Sequence, residues 1–375
     1  MRRLLIFIVL AILYGSFYPW HFAYIPGNFF LIPIDFGDKR DLILNFWLYT
    51  PVGASAYWVF APRGGALRWV LPVCIGFALS TFVELLQFFV VSRLSSQGDI
   101  FANTLGTIGG MLLAAVVGSA PELSRWRLRR SPEALLLGCW LAFLLFPFFP
   151  VHGPWPLMAN VHKFEGSPFL WTDLVVFTIA WCVVWQLIPS TFVRDTYWVA
   201  VGFLLVLLPA RFFLILRVLT KPELAAGLVA LCIAPILRRW RIPPWVTAAL
   251  VLIALMIRGL APFEFSAFAA PFSWVPFSGL LNADWQTATL ILITKLFWYA
   301  AAVWAMRRCG LGLGASGVAV AVLLAGIEIV QRHMPAHVPE ITDPLLALGC
   351  AAVFRLVVQA PVELPVDGRY SLQQR

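Results

Sequence analysis

Long apolar segments recur along almost the whole chain, and they constrain its fold more than any other feature of the sequence. Of the 375 residues, 61% are apolar or aromatic and only 12% are charged, and the mean hydropathy is +0.86. A soluble domain has about 45–50% apolar and about 25% charged residues. The composition therefore excludes a disordered chain, a soluble enzyme and a disulfide-rich secreted scaffold. It indicates a protein that crosses a membrane several times.

The apolar segments predict an all-α fold, a polytopic transmembrane helical bundle of about twelve spans, because one span needs about 20 apolar residues. Only helices and closed barrels satisfy the backbone in lipid, and runs of this length without strand alternation indicate helices. The expected spans are residues 4–20, 42–61, 69–91, 100–118, 134–150, 170–189, 197–216, 223–237, 245–260, 286–305, 312–331 and 344–360.

The Lys and Arg residues are distributed unequally over the loops between these spans. With a cytoplasmic N-terminus, most of the 27 basic residues fall in loops on the cytoplasmic side. This bias predicts an even number of spans and both termini in the cytoplasm. The net charge of +9 is spread over short clusters between apolar segments, so we do not expect nucleic-acid binding.

One polar pattern, Glu-x2-Gln-x5-basic-x5-Asp, occurs twice in the chain. The first copy is Glu84, Gln87, Arg93 and Asp99, and the second is Glu328, Gln331, His337 and Asp343. The repeat predicts two four-helix units that enter the membrane in the same direction, residues 1–118 and 245–360. A middle four-helix segment lies between them over 119–244, and a degenerate third copy is one interpretation of it. Residues 361–375 would form a cytoplasmic tail.

Polar residues of the first unit are expected to gather near the outer membrane surface. A charged side chain at the centre of a membrane helix costs about 2.5–3.5 kcal/mol on insertion scales, so Glu84 needs a partner or a wet cavity. Asp41, Asn45 and Tyr49 are spaced four residues apart and form a second polar stripe on the second helix. The candidate ligand-binding residues of this unit are Glu84, Gln87, Arg93, Asp99, Asn103, Asp41, Asn45 and Tyr49. Two structural alternatives stay open: a hydrogen-bond clamp between helices, and Asp99 as a helix cap.

The second unit carries a similar but altered set of polar residues. Its candidates are Glu328, Gln331, His337, Asp343 and Lys295. Lys295 could pair with Glu328 from the following helix, and Asp343, which precedes Pro344, fits a helix N-terminus. Pro335 separates His333 from His337, so no metal site is predicted. No nucleotide-binding or hydrolase motif occurs, and no cofactor is predicted.

The spaced polar residues of the first unit resemble the VanZ-like family of membrane proteins over about residues 14–115. The resemblance rests on Asp41-x3-Asn45-x3-Tyr49-Thr50-Pro51-Val52-Gly53, Glu84-x2-Gln87, Arg93 and Asp99-x3-Asn103-Thr104-Leu105-Gly106. The second unit resembles the family less closely, with Lys295 for the Asn, His337 for the Arg and Ala347 where Asn103 would align. The family's founder is linked to low-level resistance to the glycopeptide teicoplanin. The resemblance therefore implies a multipass protein of the bacterial inner (cytoplasmic) membrane and cell envelope, and no defined reaction.

Three functions are consistent with these features. The leading hypothesis is a protein that binds or modifies an envelope lipid or lipid-linked glycan from the outer leaflet. The second is a lipid transporter or flippase, for which Arg211, Asp173 and Lys295 would mark a path across the membrane. The third is a non-catalytic membrane scaffold whose polar residues only lock helices together.

Overall fold

The computed structural model describes residues 1–23, 39–90, 95–119, 131–146, 153–191, 201–202, 206–214, 219–239 and 242–359. Within these ranges the chain is helical and forms no strand longer than an isolated bridge, so the all-α prediction is confirmed. The helices are α1 (Arg2–Phe17), α2 (Lys39–Phe60), α3 (Leu67–Gln87), α4 (Gln97–Ser119), α5 (Pro132–Leu145), α6 (Pro154–Gly166), α7 (Trp171–Thr191), α8 (Lys221–Arg239), α9 (Pro244–Leu260), α10 (Ser278–Asn282), α11 (Trp285–Arg308), α12 (Leu313–Gln331) and α13 (Thr342–Gln359). A 3-10 turn, Arg211–Phe213, follows the short helical stretch 206–210.

Five of the described helices are long and apolar enough to cross a membrane. These spans are Leu67–Gln87, Gln97–Val116, Trp171–Ile188, Gln286–Arg308 and Leu313–Gln331. Two shorter helices, Pro132–Leu145 and Pro244–Leu260, are also apolar. The chain is thus a helical membrane protein with several spans. The number twelve stays a prediction, and part of the expected span 197–216 lies outside the described residues.

Two local features differ from the prediction. Helix α3 ends at Gln87, four residues before the expected end, because the chain turns at Phe89 and Val90 and forms a bridge from Val90 to Phe22. Helix α6 was not expected as a span or as a helix. It begins after Gly153, whose φ of 93° lies in the left-handed region, and it contains too many polar residues to register as an apolar segment.

Helices α2 and α4 approach each other more closely than ordinary side chains allow. A Cβ atom at Gly110 would lie 1.8 Å from the carbonyl oxygen of Thr50, and one at Gly106 would lie 2.0 Å from that of Phe46. On α2, a Cβ at Gly53 would lie 1.8 Å from the carbonyl oxygen of Thr107. Close backbone contact of this kind lets helices associate in lipid through dispersion. The glycines of α4 thus form a packing face against α2.

Helix α11 is at the centre of the other half of the chain. Every residue from 297 to 305 is buried, which is typical of a helix that is surrounded on all sides. Its neighbours are α5, α9, α12 and α13. At its start, just outside the span, Asp284 accepts hydrogen bonds from the amides of Thr287 and Gln286 at 3.0 and 3.1 Å. The hydrogen bonds from Thr287 and Gln286 lower the pKa of the Asp284 carboxyl.

Candidate functional site

The carboxylate of Asp343 joins α11 and α13. Although it lies in the first turn of α13, its Oδ1 accepts from Lys295 Nζ and its Oδ2 accepts from the Tyr299 hydroxyl. Lys295 and Tyr299 stand one turn apart on α11, so both reach the same carboxylate. The Lys295 side chain is 24% exposed and that of Asp343 is 10% exposed. This group of Asp343, Lys295, Tyr299 and the neighbouring Glu328 is called the Asp343 cluster below.

The Asp343 cluster corrects two sequence-based expectations. Asp343 is more than a helix cap, since both of its oxygens bind side chains of another helix. The ion pair of Lys295 is with Asp343, whereas the sequence had suggested Glu328. Tyr299 was missing from the candidates. Its alignment with Tyr49 in the repeat was the signal that could have identified it.

The two glutamates of the repeated pattern make the same hydrogen bond. Glu84 Oε2 accepts from the Ser96 amide and Glu328 Oε2 accepts from the Glu340 amide, both at 2.8 Å. In each case the amide belongs to the residue twelve positions later. Both glutamates are 2% exposed. Each carboxylate therefore holds the connector that leads from its own helix to the next one.

The two glutamines of the pattern also share a contact. Gln87 Nε2 donates to the carbonyl oxygen of Ser16 at 3.0 Å, and Gln331 Nε2 donates to that of Gly259 at 2.7 Å. Ser16 lies near the end of α1, and Gly259 near the end of α9. Each glutamine thus ties the third helix of its expected unit to the end of the first, at a carbonyl that the helix leaves unpaired.

Other polar residues of the first unit surround Tyr49, which is 1% exposed. Tyr49 lies beside Ser80 and within electrostatic range of Glu84 and Asp99. Asn103 Nδ2 donates to Ser80 Oγ at 2.9 Å, which joins α4 to α3. The structure therefore places Tyr49 of α2 within electrostatic range of Glu84 on α3 and Asp99 on α4.

Of the remaining candidates, the structure describes His337 and Asn45, but it does not describe Arg93 or the side chain of Asp41. His337 Nε2 donates to the carbonyl oxygen of Ala261 at 2.7 Å, so this histidine fixes the connector after α9. Asn45 is half-buried on α2, in the helix that carries Tyr49. Arg93 and the side chain of Asp41 lie outside the described residues, so the expected convergence of Arg93 with Glu84 stays a prediction.

A separate buried ion pair lies in the middle segment. Arg211 Nη2 is 2.7 Å from Glu223 Oε2, and the two side chains are 1% and 5% exposed. The same Glu223 oxygen accepts from the Thr220 amide at 3.1 Å. If the middle segment is a degenerate third copy, Arg211 aligns with Gln87 and Glu223 with Asp99. Their contact connects the 3-10 turn to the first turn of α8.

The chemistry of these clusters is that of hydrogen bonding and charge pairing. In the described ranges, no group of three or more His, Cys, Asp or Glu side chains lies close enough together to hold a metal ion. Lys295 is the partly accessible cation of the Asp343 cluster, and it forms an ion pair with Asp343. Such a mixed cluster can exchange hydrogen bonds with a polar group.

The helices and their buried polar clusters define a multipass membrane protein. The family model VanZ/LLP1 matches residues 3–118, so this part of the chain is similar to that family. The resemblance of the first unit to that family is confirmed, and the match ends close to the expected boundary at residue 118. No curated protein and no solved structure matches the chain.

Proposed function

We propose that this VanZ-like protein binds or modifies an envelope lipid or lipid-linked glycan at the outer leaflet of the bacterial inner membrane. The observation that carries the proposal is the Asp343 cluster. Charged side chains inside a membrane are costly, and they mark ligand or ion sites more often than other positions do. Here a lysine and a tyrosine from the middle of α11 meet two carboxylates that lie near the ends of α12 and α13. A polar head could exchange hydrogen bonds with this cluster while its acyl chains stay in lipid.

Two VanZ-like units in one chain are part of the proposal. The second unit would span residues 245–360, and the middle segment 119–244 would separate it from the first. The shared glutamate and glutamine contacts support this arrangement, because they join corresponding elements at corresponding spacings. The Lys295–Asp343 ion pair would distinguish the second unit, since Asn45 takes the position of the lysine in the first.

The orientation follows from the distribution of basic residues. With both termini in the cytoplasm, the Asp343 cluster and Glu84 lie toward the outer side. Single cysteines at positions 93, 125 and 337, in a background without native cysteines, test this. An impermeant thiol reagent should label positions 93 and 337 from the outside and should leave 125 unlabelled. Labelling of 125 from the outside would contradict the orientation.

The function itself is tested by the lipids that purify with the protein. We expect mass spectrometry to find a specific polar lipid in the wild type and a smaller amount in Asp343→Asn and Glu328→Gln. A Gly326→Ala variant is the matched control, because Gly326 lies on α12 but a Cβ there would meet no atom within 4 Å. Equal amounts of lipid in all four proteins would contradict the proposal. Teicoplanin susceptibility of cells with and without the chain tests the link to glycopeptide resistance.

Lipid transport is the second candidate function. It is favoured by the ionisable groups that continue beyond the Asp343 cluster toward the middle segment. Asp173 interacts electrostatically with Glu223 and Arg258, and Arg258 interacts in the same way with Tyr299. Purified protein in vesicles that contain a fluorescent lipid would distinguish the two functions. Movement of that lipid between leaflets would support transport, whereas a covalently changed lipid would support modification.

A further inference from the structure

The turns that follow α1 and α9 have the same unusual backbone. The sequence is Pro-Trp-His-Phe over residues 19–22 and Pro-Phe-Glu-Phe over 262–265. Trp20 and Phe263 each have a φ of 65°, and each donates its amide hydrogen at 2.7 Å to a carbonyl oxygen of the helix before it. A left-handed backbone is unfavourable for a residue that carries a side chain. Strain of this kind is found where it positions a functional group, so the two turns deserve the same explanation.

Both turns direct aromatic rings away from the protein. Trp20 and Phe22 in the first turn are exposed, and so are Phe263 and Phe265 in the second. Trp20 Nε1 donates to the carbonyl oxygen of Tyr14 at 3.2 Å, so this ring presents no unpaired polar group to its surroundings. Large apolar side chains that are exposed in groups mark a surface for a partner or a membrane. Each turn therefore presents a pair of aromatic rings for such a contact.

In the second half of the chain the exposed apolar surface continues over the loop that leads from α9 to α10. Phe268 is 87% exposed and Trp274 is 74% exposed. Between residues 261 and 283 the sequence contains a single charged residue, Glu264. A loop that faces water is usually polar, whereas this one carries aromatic rings and almost no charge. Its composition indicates an apolar environment.

Hydrogen bonds fix this loop to the end of α12. The amides of Ser266 and Ala270 donate to the carbonyl oxygens of His333 and Arg332, respectively, both at 2.6 Å. In the opposite direction, Arg332 Nε donates to the carbonyl oxygen of Ala270 at 3.2 Å. Arg332 directly follows α12, which is long and apolar enough to cross a membrane. The loop and its exposed rings therefore lie at the level where this span ends.

The turn after α1 lies at the end of a span in the same way. Phe22 forms a bridge with Val90, and the amide of Ala23 donates to the carbonyl oxygen of Phe89 at 2.7 Å. Phe89 and Val90 come just after α3, which is also long and apolar enough to cross a membrane. Both turns thus present their rings where the hydrocarbon of the bilayer gives way to its headgroups.

We propose that these rings, called the aromatic anchors below, lie in the interfacial region of the bilayer, between headgroups and acyl chains. The aromatic anchors are Trp20, Phe22, Phe263, Phe265, Phe268 and Trp274. Aromatic side chains favour this region of a membrane. A second copy of the chain and a soluble protein are the other candidate partners. Lipid is favoured by continuity, because Ile329 and Val330 in the last turn of α12 are exposed on a helix that spans the membrane. The inference concerns how the chain sits in the bilayer and does not depend on the proposed function.

The test uses the full chain in vesicles of phosphatidylcholine and phosphatidylglycerol. Single cysteines at positions 22, 265 and 268, in a background without the six native cysteines, carry the fluorophore NBD. Position 165 is the control, because Glu165 is an exposed charged residue on α6. The quenchers are aqueous iodide, a lipid with a nitroxide on its headgroup, and a lipid with a nitroxide near the end of an acyl chain. We expect the headgroup nitroxide to quench the three labels about threefold more strongly than the control, and iodide to quench them less.

Each remaining outcome contradicts the inference in a distinct way. Iodide quenching equal to that at position 165 would mean that the rings face water. Stronger quenching by the acyl-chain nitroxide than by the headgroup nitroxide would place them in the hydrocarbon core. Labels that no quencher reaches would mean that protein, such as a second copy of the chain, covers them. Lipid contact at 265 and 268 without contact at 22 would contradict the shared role of the two turns. Gel filtration establishes that each labelled protein is folded, and position 275, where Val275 is exposed in the same loop, replaces one that is not.

Discussion

Tyr299 donates its hydroxyl hydrogen to Asp343, whose other carboxylate oxygen binds Lys295. The three side chains fix the first turn of α13 against the middle of α11. In the first unit, Tyr49 lies within electrostatic range of Asp99 without a hydrogen bond to it, and Asn45 takes the position of the lysine. The second cluster therefore carries a positive charge at a position where α2 has the uncharged Asn45. This difference suggests that the two clusters hold different partners.

The Lys295–Asp343 ion pair should be important for stability. We expect Lys295→Met to lower the free energy of unfolding by about 3 kcal/mol, because it leaves a largely buried carboxylate without its counter-ion. Tyr299→Phe removes a hydrogen bond to the same charged group and should cost about 1.5–3 kcal/mol. The double variant Lys295→Met with Asp343→Asn should recover part of the loss. Unfolding in increasing concentrations of a denaturing detergent measures the unfolding free energy of each variant. A loss below about 0.5 kcal/mol for Lys295→Met would contradict the expectation.

The two repeated glutamates should tolerate amides better than alanine. Glu84→Ala leaves the Ser96 amide without an acceptor and should cost about 1–3 kcal/mol in unfolding free energy. Glu84→Gln retains an oxygen acceptor and should cost less. We expect the same order for Glu328 and the Glu340 amide. Thermal unfolding of the four variants measures this, and an equal loss for the Ala and Gln variants would show that charge matters more than the hydrogen bond.

Much of the bundle is predictable from the sequence because the signal of a membrane helix is long and strong. The apolar segments locate helices such as α3, α11 and α12, and the repeated pattern places Glu84 and Glu328 near the ends of two of them. The ends of helices are harder to predict. Residues 88–91 are as apolar as the helix before them, so composition gave no sign that α3 ends at Gln87.

Pairing between distant residues is harder still. Asp343 precedes Pro344, which locally favours a cap, and nothing local reveals that Lys295 and Tyr299 reach it from 48 and 44 residues away. The choice of Asp343 over Glu328 as the partner of Lys295 depends on how α11 and α13 pack. Glu328 is instead held by the Glu340 amide, a contact that depends on the path of the connector.

The glycines between α2 and α4 should not accept a methyl group. Gly110→Ala would place a Cβ 1.8 Å from the Thr50 carbonyl oxygen, and the backbones would have to separate. We expect a loss of about 1–3 kcal/mol, as for other overpacked cores. Gly326→Ala is the control, because its site is open and alanine favours the helix by about 1 kcal/mol. Unfolding midpoints should thus move in opposite directions, and equal midpoints for Gly110→Ala and the wild type would contradict the close packing of α2 and α4.

The Arg211–Glu223 pair should be the most sensitive polar contact of the middle segment. Arg211→Ala removes a buried counter-ion that lies 2.7 Å from Glu223 Oε2, and we expect a loss of about 3–5 kcal/mol in unfolding free energy. Glu223→Gln should cost less than Glu223→Ala, because the amide oxygen can still accept from Thr220. Arg308→Ala is the matched control. Arg308 Nη1 donates to Gln186 Oε1 at an exposed site, so its loss should be below about 1 kcal/mol. If Arg211→Ala unfolds at the same denaturant concentration as Arg308→Ala, the buried pair contributes no more than a surface contact.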